Sequence, residues 1–352
     1  MSENGQQDDV NGPSTGKATM RDIASYTDVS LTTVSLVLNG RPGISPETRA
    51  RVMSAASELG YQPPIRRHGA TVETISLLIE HLPTSPSSDP FNRQILTSIE
   101  AEARRTGYRV VVEFAGADDQ PQVGHWTGGW TSGVLIVGGG DLKPAWVATA
   151  IEARLPVVVV DHFIPGIEVA TVVSDNFAGA YEITKYLLNA GHERIGFLRG
   201  PSKYWTLEER KGGYLAAMQC AGVEFDPSLI PQRVSHGTEK GYGETLALLD
   251  LPTPPTAIFA VSDQTAIGAY RAITGRGLSV GKDISVVGFD DIELASMLTP
   301  PLTTVHNSGA LLGRVAFERL LGMLRDNESS ENAIKWTVPT QIVERDSVRR
   351  LR

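Results

Sequence analysis

The 352-residue sequence has a single cysteine, Cys220, which excludes an intramolecular disulfide and a metal site with several thiolate ligands. Its seven histidines show no metal-ligand spacing. No run approaches 18 uninterrupted apolar residues, so no membrane span is predicted. The polar residues 1–18 lack the apolar stretch of a signal peptide, and we expect a disordered tail on a protein of the reducing cytoplasm. Cys220 is expected to be a small buried side chain in a helix.

Motifs of common enzyme classes are also scarce. The phosphate-binding patterns GxGxxG and GxxxxGK[ST] and the zinc-protease pattern HExxH do not occur. A lone triplet, Gly138-Gly139-Gly140, follows an apolar run and is weak evidence for phosphate binding. We therefore expect neither an enzyme nor a bound cofactor or metal.

The whole chain has a formal net charge of −8, and acidic residues are outnumbered by basic ones in only one part of it. Residues 1–16 carry −3, residues 17–70 carry +3 and residues 71–352 carry −8. A small basic unit on an acidic body suits a protein that holds a polyanion such as DNA through that unit.

The length of 352 residues and the 41% hydrophobic content predict two or three folded domains. The first, residues 19–61, contains three short amphipathic helical patterns. Thr19, Ser30 and Ser45 are the expected N-caps, and Pro46 takes the first position of the third helix. A four-residue break separates the first two helices, which predicts a helix-turn-helix.

The same residues carry a specific signature. Asp22-Ile23-Ala24, VSLTTVS at 29–35, LNG at 38–40 and LGYQP at 59–63 follow one another at fixed spacings. This run resembles the DNA-binding signature of the LacI/GalR family of bacterial transcription regulators. The resemblance extends over roughly residues 19–348 and implies a sequence-specific DNA-binding regulator, in most cases a repressor.

The DNA contacts are expected on the second helix, on its flanks and in the segment after the third helix. Ser30 and Thr33 suit phosphate oxygens, whereas the outward side of the second helix would reach base edges in the major groove. Relatives commonly have arginine where this chain has Leu36, so the usual guanine contact is missing and a different operator is expected. The candidate DNA-binding residues are Thr19, Ser30, Leu31, Thr32, Thr33, Ser35, Leu36, Asn39, Arg66 and Arg67.

The hinge, residues 62–71, departs further from the family. Relatives have a segment that becomes helical on DNA and inserts leucines into the minor groove, but this hinge is about three residues shorter and has no such leucine. Two alternatives stay open. Ile65 could act as the wedge, with Arg66 and Arg67 beside it, or the segment could be a plain flexible linker.

From residue 72 the pattern changes to apolar strands that alternate with amphipathic helices, which predicts parallel, doubly wound sheets. So long a body exceeds one sheet, so two Rossmann-like subdomains are expected, with ligands bound where the strands end. The resemblance gives this body the periplasmic-binding-protein type I architecture. Its N-subdomain is expected at about 72–173 and 305–332, and its C-subdomain at about 174–304 and 333–348. The predicted strands are 75–80, 109–114, 133–138, 155–161, 194–198, 256–261 and 284–290.

Residues for a small ligand follow from the resemblance. An Asp-Arg-Asp set at strand ends suits the hydroxyl groups of a sugar, although Asp290 could instead cap a helix and Arg210 could form a surface ion pair. The candidate ligand-binding residues are Asp161, Arg210, Asp290, Ser262, Asp263, Phe91, Asn92 and His236.

The sequence thus predicts an all-α helix-turn-helix head and an α/β body in a cytoplasmic repressor. The expected partners are double-stranded palindromic DNA, a second copy in a homodimer, and a small effector, expected to be a carbohydrate. The alternative is a free-standing sugar-binding or sugar-processing α/β protein without specific DNA binding.

Overall fold

The computed structural model describes residues 18–38, 44–59, 61, 73–80, 89–115, 124–140, 142–231, 237–326 and 333–351. The chain divides into two units, residues 1–71 and 72–352. Asn39, the hinge with Arg66 and Arg67, and His236 lie outside the described residues.

The first unit is the helical head. Its helices are α1 (Met20–Thr27), α2 (Leu31–Leu38) and α3 (Pro46–Glu58). One small core joins them, made of Ile23, Val34, Val37, Val52, Ala55 and Ala56. The inward face of α2 is thus formed by the apolar positions that helical periodicity predicts.

Polar caps fix where these helices begin. The N–H of Asp22 donates to Thr19 Oγ1 at 3.3 Å while the Asp22 carboxylate accepts from the Thr19 N–H, which is a capping box. Ser45 Oγ accepts from the N–H of Thr48 at 3.2 Å. Asp28 is the C-cap that follows α1, and its φ of 50° is in the left-handed region that aspartate tolerates. The predicted caps at Thr19 and Ser45 are confirmed.

The second unit is the α/β body. Six strands form one parallel sheet in the order β10-β5-β4-β3-β1-β2, three form a second parallel sheet in the order β6-β7-β8, and β9 pairs antiparallel with β11. We call the part around the six-stranded sheet lobe 1 and the part around the other two sheets lobe 2. The strands are β1 (Thr74–Glu80), β2 (Arg109–Ala115), β3 (Gly133–Val137), β4 (Val157–Val160), β5 (Ala170–Ser174), β6 (Ile195–Leu198), β7 (Ala257–Ala260), β8 (Ser285–Val287), β9 (Thr304–His306), β10 (Lys335–Val338) and β11 (Gln341–Val343).

Helices connect the strands and cover the sheets. Helices α4 and α12 pack together on lobe 1, whereas α7 packs on α8 and α9 on α10 in lobe 2. In the described part of the chain, none of the helices is long and apolar enough to cross a membrane. The helices of the body are α4 (Pro90–Thr106), α5 (Gly124–Thr127), α6 (Pro144–Glu152), α7 (Asn176–Asn189), α8 (Trp205–Cys220), α9 (Gly237–Leu249), α10 (Asp263–Gly275), α11 (Glu293–Met297) and α12 (Gly309–Asp326).

The chain passes between the lobes in three places. It leaves lobe 1 after β5, returns after β9, and leaves again between β10 and β11. The last crossing was expected at residue 332, before β10, but it lies after Val338. The reason is that Lys335–Val338 pairs in parallel with Thr171–Ser174 and completes the edge of the six-stranded sheet.

Other local features also differ from the expectations. The short strand β5 and the late strands β9, β10 and β11 are absent from the predicted set. Cys220, expected to be buried, is exposed at the last position of α8. Between β2 and β3 the described chain has only the four-residue α5, whose Trp126 is buried and donates from Nε1 to Ser76 Oγ at 3.0 Å.

Candidate functional site

Arg210 lies at the centre of a charged cluster at the carboxyl ends of the body's strands. It projects from α8 and is buried, and each of its three nitrogens donates to the chain. Nε donates to Asn176 Oδ1 at 2.8 Å, Nη1 to the carbonyl of Val261 at 2.7 Å, and Nη2 to Asp290 Oδ1 at 3.0 Å. The guanidinium carbon lies 3.8 Å from the centroid of the Phe289 ring. These contacts hold the guanidinium in one orientation.

Asp290 follows β8 and carries the partner carboxylate. Its N–H donates to the carbonyl of Val305 at 2.9 Å, and Oδ1 also accepts from Asn307 Nδ2 at 3.3 Å. Burial raises the pKa of Asp290, while Arg210 and Asn307 act in the opposite direction. Its φ of 106° is unusual for a residue with a side chain, and such strained backbone is concentrated at functional sites.

Asp161 follows β4 in lobe 1 and faces the same charges. Its φ is 56°, and its N–H is held by the carbonyl of Val172 at 2.9 Å. Burial raises the pKa of Asp161 to about 7, Arg210 opposes this, and the negative charges of Asp290 and Asp89 add to it. Its buried Oδ1 accepts no hydrogen bond from the described residues. A buried carboxylate oxygen without a hydrogen-bond donor lowers the stability of the folded protein unless a ligand or a water molecule donates to it.

Asp89 is a member of this cluster that the candidate residues above do not include. It is the N-cap of α4, and its Oδ1 accepts from the N–H groups of Phe91 at 2.9 Å and Asn92 at 3.4 Å. Burial raises the pKa of Asp89, whereas its cap hydrogen bonds and Arg210 lower it. The sequence does carry a signal, since Asp-Pro before an amphipathic helix is a typical helix start. We call Asp89, Asp161, Arg210 and Asp290 the interlobe site.

Aromatic side chains also meet beside this site. Phe163 of lobe 1 lies 5.4 Å from Trp205 of lobe 2, measured between ring centroids. Lys335 Nζ lies 5.5 Å from the Phe163 ring centroid and 3.5 Å from Glu209 Oε1 on α8. Phe163 is two residues from Asp161 in the chain, and α8 carries both Trp205 and Arg210. Contacts between the lobes thus occur close to the charged cluster.

The other predicted ligand residues that the structure describes pack in the core or cap helices and do not contact Arg210 through a described hydrogen bond. Phe91 is only 7% exposed and belongs to the core of lobe 1, and Ser262 caps α10, accepting from the N–H of Thr265 at 3.3 Å. Asn92 is partly buried and holds the Asp89 carboxylate through its backbone.

Asp263 is fully buried, and both of its carboxylate oxygens are occupied by the chain. Oδ1 accepts from Thr304 Oγ1 at 2.6 Å and Oδ2 from the N–H of Ile292 at 2.9 Å. Burial raises the pKa of Asp263 well above its ordinary value. These bonds join the start of α10 to the segments after β8 and at β9, which indicates a role in positioning the loop that carries Asp290.

The head presents a different surface on α2. Val34 and Val37 point into the core, so Leu31, 45% exposed, and Thr32 lie on the outward side, with Leu36 partly exposed beside them. Ser30 Oγ accepts from the N–H of Thr33 at 3.0 Å, and their hydroxyl groups lie 2.8 Å apart, so both belong to the cap of α2.

Comparison with known proteins identifies the family. Residues 19–64 match the bacterial regulatory proteins of the lacI family, and residues 184–348 match a periplasmic binding protein-like domain. The ribose operon repressor of Haemophilus influenzae is 33% identical over 338 residues, which cover 94% of this chain and 98% of that protein. The chain belongs to the LacI family.

Further LacI-family relatives agree over nearly the whole length. The HTH-type transcriptional repressor CytR of Escherichia coli is 34% identical over 314 residues, 88% of this chain and 90% of that protein. The structure of the Lac repressor dimer bound to operator and the anti-inducer ONPF is similar with a TM-score of 0.67 and 27% identity, covering 95% of this chain and 100% of that one. The complex of the transcriptional regulator CelR with cellobiose has a TM-score of 0.69 and 27% identity, covering 94% and 99%. The predicted fold class and DNA-binding regulatory function are confirmed.

The sequence also contains one pentapeptide with the spacing of a serine-hydrolase motif, but not in the structural setting of that motif. The pentapeptide at 277–281, GLSVG, has the GxSxG spacing of serine hydrolases, in which the serine occupies a strand-to-helix turn. In this LacI-family protein the pentapeptide instead follows helix α10, and the N–H of Ser279 donates to Asp283 Oδ2 at 2.7 Å.

Within the described residues, no group of three or more His, Cys, Asp or Glu side chains could hold a metal ion.

Proposed function

We propose that this protein represses transcription by binding a palindromic operator as a homodimer in the bacterial cytoplasm, and that a carbohydrate bound at the interlobe site controls that binding. The observation that carries the effector part is the interlobe site itself, in which a fixed guanidinium and carboxylates from both lobes converge. Because the members come from different lobes, a ligand that contacts all of them favours one arrangement of the lobes over others.

The chemistry of the site fits a polyol. Ionised carboxylates only accept hydrogen bonds, and sugar hydroxyl groups supply the donors that Asp161 Oδ1 lacks among the described residues. Phe163 and Trp205 add apolar ring faces beside the charged groups, and sugar rings commonly pack on such faces. The complex of CelR, a structural relative, holds cellobiose.

The DNA part rests on the outward side of α2. Leu31, Thr32, Ser35 and Leu36 are proposed to meet base edges, and Thr19, Ser30 and Thr33 phosphates. Asn39, Arg66 and Arg67 remain proposed contacts on residues outside the described ranges. A single helix-turn-helix reads few base pairs, which favours a twofold dimer on a palindrome.

The edge of lobe 1 offers a surface for the second copy. Strand β2 lies at the end of the six-stranded sheet, and its Val111, Val112 and Phe114 are 43%, 45% and 50% exposed. An apolar edge strand left open is a template for unwanted pairing, so proteins usually cover it. The related Lac repressor structure is that of a dimer.

The test combines ligand screening with operator binding. Operator DNA would first be selected from a random library, and sugars and nucleosides would be screened by thermal shift. A ligand at 100 times its Kd should add about 2.7 kcal/mol to the stability of the folded state. We expect a stabilising sugar to change operator affinity in a fluorescence-anisotropy titration. If a sugar stabilises the protein but no DNA sequence is enriched, the protein is a sugar-binding protein of another kind.

A further inference from the structure

The interlobe site holds more carboxyl groups than cationic groups. Asp89, Asp161 and Asp290 interact electrostatically with one another and with Arg210, the one guanidinium to which their pKa values respond. Lys335 Nζ lies 3.5 Å from Glu209 Oε1 and is paired with that carboxylate. Lys203 is exposed to solvent, where its charge is screened. A ligand bound there therefore meets three acidic groups for each buried cation.

The carboxylate of Asp89 is held in place by the start of α4. Its Oδ1 is fixed by the first two N–H groups of α4, and its Oδ2 accepts no hydrogen bond from the described residues. The chain enters α4 from β1, so Asp89 lies at the same edge of the sheet as Asp161, which follows β4.

The helix start that Asp89 caps also affects how an anionic ligand would bind. The N-terminus of a long helix carries about half a positive elementary charge and is a common site for phosphate and carboxylate groups. In α4, a helix of 17 residues, that position is already taken by the carboxylate of the chain itself. An anionic ligand thus loses an attractive site and gains a repulsive one.

We propose that Asp89 makes the interlobe site selective for uncharged sugars and nucleosides and excludes their anionic derivatives, the uronates and phosphates. The buried Asp161 Oδ1, which accepts no hydrogen bond from the described residues, adds a second requirement, namely that the ligand supplies a hydroxyl or amine donor. This inference rests on the proposed carbohydrate effector and narrows its chemistry.

The experiment uses matched pairs of probes with the full-length protein. Each pair consists of a neutral compound and an anionic derivative of it: glucose and glucuronate, galactose and galacturonate, ribose and ribose 5-phosphate, and cytidine and cytidine monophosphate. Calorimetric titration should find a pair whose neutral member binds and whose anion binds at least about tenfold more weakly, the effect of one charge at close range. An anion that binds as tightly as its neutral partner overturns the inference but leaves the proposed effector site standing. If neither member of any pair binds, both fail.

Asp89→Asn isolates the residue. Asparagine caps helices about as well as aspartate, so α4 should form normally and the change removes only the negative charge. The affinity ratio between the neutral and anionic members should fall by at least about tenfold in this variant. An unchanged ratio overturns the assignment to Asp89.

Asp226→Asn is the matched control. Asp226 also caps a short helix, Pro227–Leu229, accepting from the N–H of Ser228 at 2.9 Å, and the same substitution changes the net charge by the same amount. Its pKa responds to Ser228 and Arg194, not to the interlobe site. The control should keep the ratio of the parent protein, and a change equal to that of Asp89→Asn would show that overall charge sets the selectivity and would overturn the inference.

Discussion

Replacing Arg210 with methionine tests whether the guanidinium holds the interlobe site together. Methionine keeps much of the packing on Phe289 but removes the hydrogen bonds to Asn176, Val261 and Asp290. The side chains of Arg210 and Asp290 are only 4% and 12% exposed, so water cannot fully replace the lost partner.

The size of the effect follows from the uncompensated carboxylate. Removing one partner of a buried ion pair typically costs about 3 to 5 kcal/mol, because the other charge stays buried. Asp290 keeps the 3.3 Å hydrogen bond from Asn307, which places the expected loss of unfolding free energy towards the lower end. The double variant Arg210→Met/Asp290→Asn should recover much of that loss, since the carboxylate that Arg210 contacts directly is then replaced by a neutral amide.

The pH dependence gives a second readout. Without Arg210 the pKa of Asp290 rises further, so the protonated form of the carboxyl group is the one that folding favours. The deficit of Arg210→Met relative to the parent should be fully present above this raised pKa and should shrink as pH falls towards the ordinary carboxyl pKa. Urea unfolding at pH 8 and pH 5 would measure it. An equal deficit at both pH values, with no recovery in the double variant, would refute the role given to Asp290.

Other predictions concern the effector, the DNA and the dimer. Burial raises the pKa of Asp161 to about 7, and hydroxyl donors favour its ionised form, so sugar affinity should increase from pH 6 to pH 8 and then level off. Calorimetry should show this pH dependence in the parent protein. A flat profile in the parent, or the same profile in Asp161→Asn, would contradict it. Leu36→Arg should shift preference to a guanine-containing half-site by about 1–3 kcal/mol, as one bidentate contact provides, and an unchanged motif in library selection would show that position 36 does not face the bases. Replacing Arg66 and Arg67 with alanine should weaken binding to all sequences and reduce the salt slope by roughly 0.9 per lost phosphate contact, measured by anisotropy at several salt concentrations. Val112→Lys should weaken self-association in sedimentation experiments without loss of the α/β circular dichroism signal, because its side chain is exposed on the β2 edge.

How far the site could be predicted depends on the kind of signal each residue carries. Asp161, Arg210 and Asp290 stand at the ends of strongly apolar strands or on a clear helix within a family signature, and the structure brings them together. Asp89 and the Phe163–Trp205 contact depend on which loops meet across two lobes, and no local periodicity encodes that.

The fold shows the same division between local and distant determinants. The caps at Thr19 and Ser45 depend only on residues within three positions along the chain, so they could be predicted from the sequence. Strand β10 is four residues long and finds its partner β5 more than 160 residues earlier in the chain, so its sheet could not be read from its own sequence. Cys220 was expected to be buried from its apolar neighbours, but helix periodicity turns that position outward at the end of α8.

The late return of the chain to lobe 1 has a consequence for how the protein acquires its structure during synthesis. The five strands β1 to β5 leave the ribosome long before β10, which completes their sheet, and β11 follows within a few residues to pair with β9. Neither lobe can therefore reach its final sheet until residues 335–343 have been made. The two lobes are expected to mature as one cooperative unit, and the interlobe site should become competent to bind only after residues 335–343 have left the ribosome.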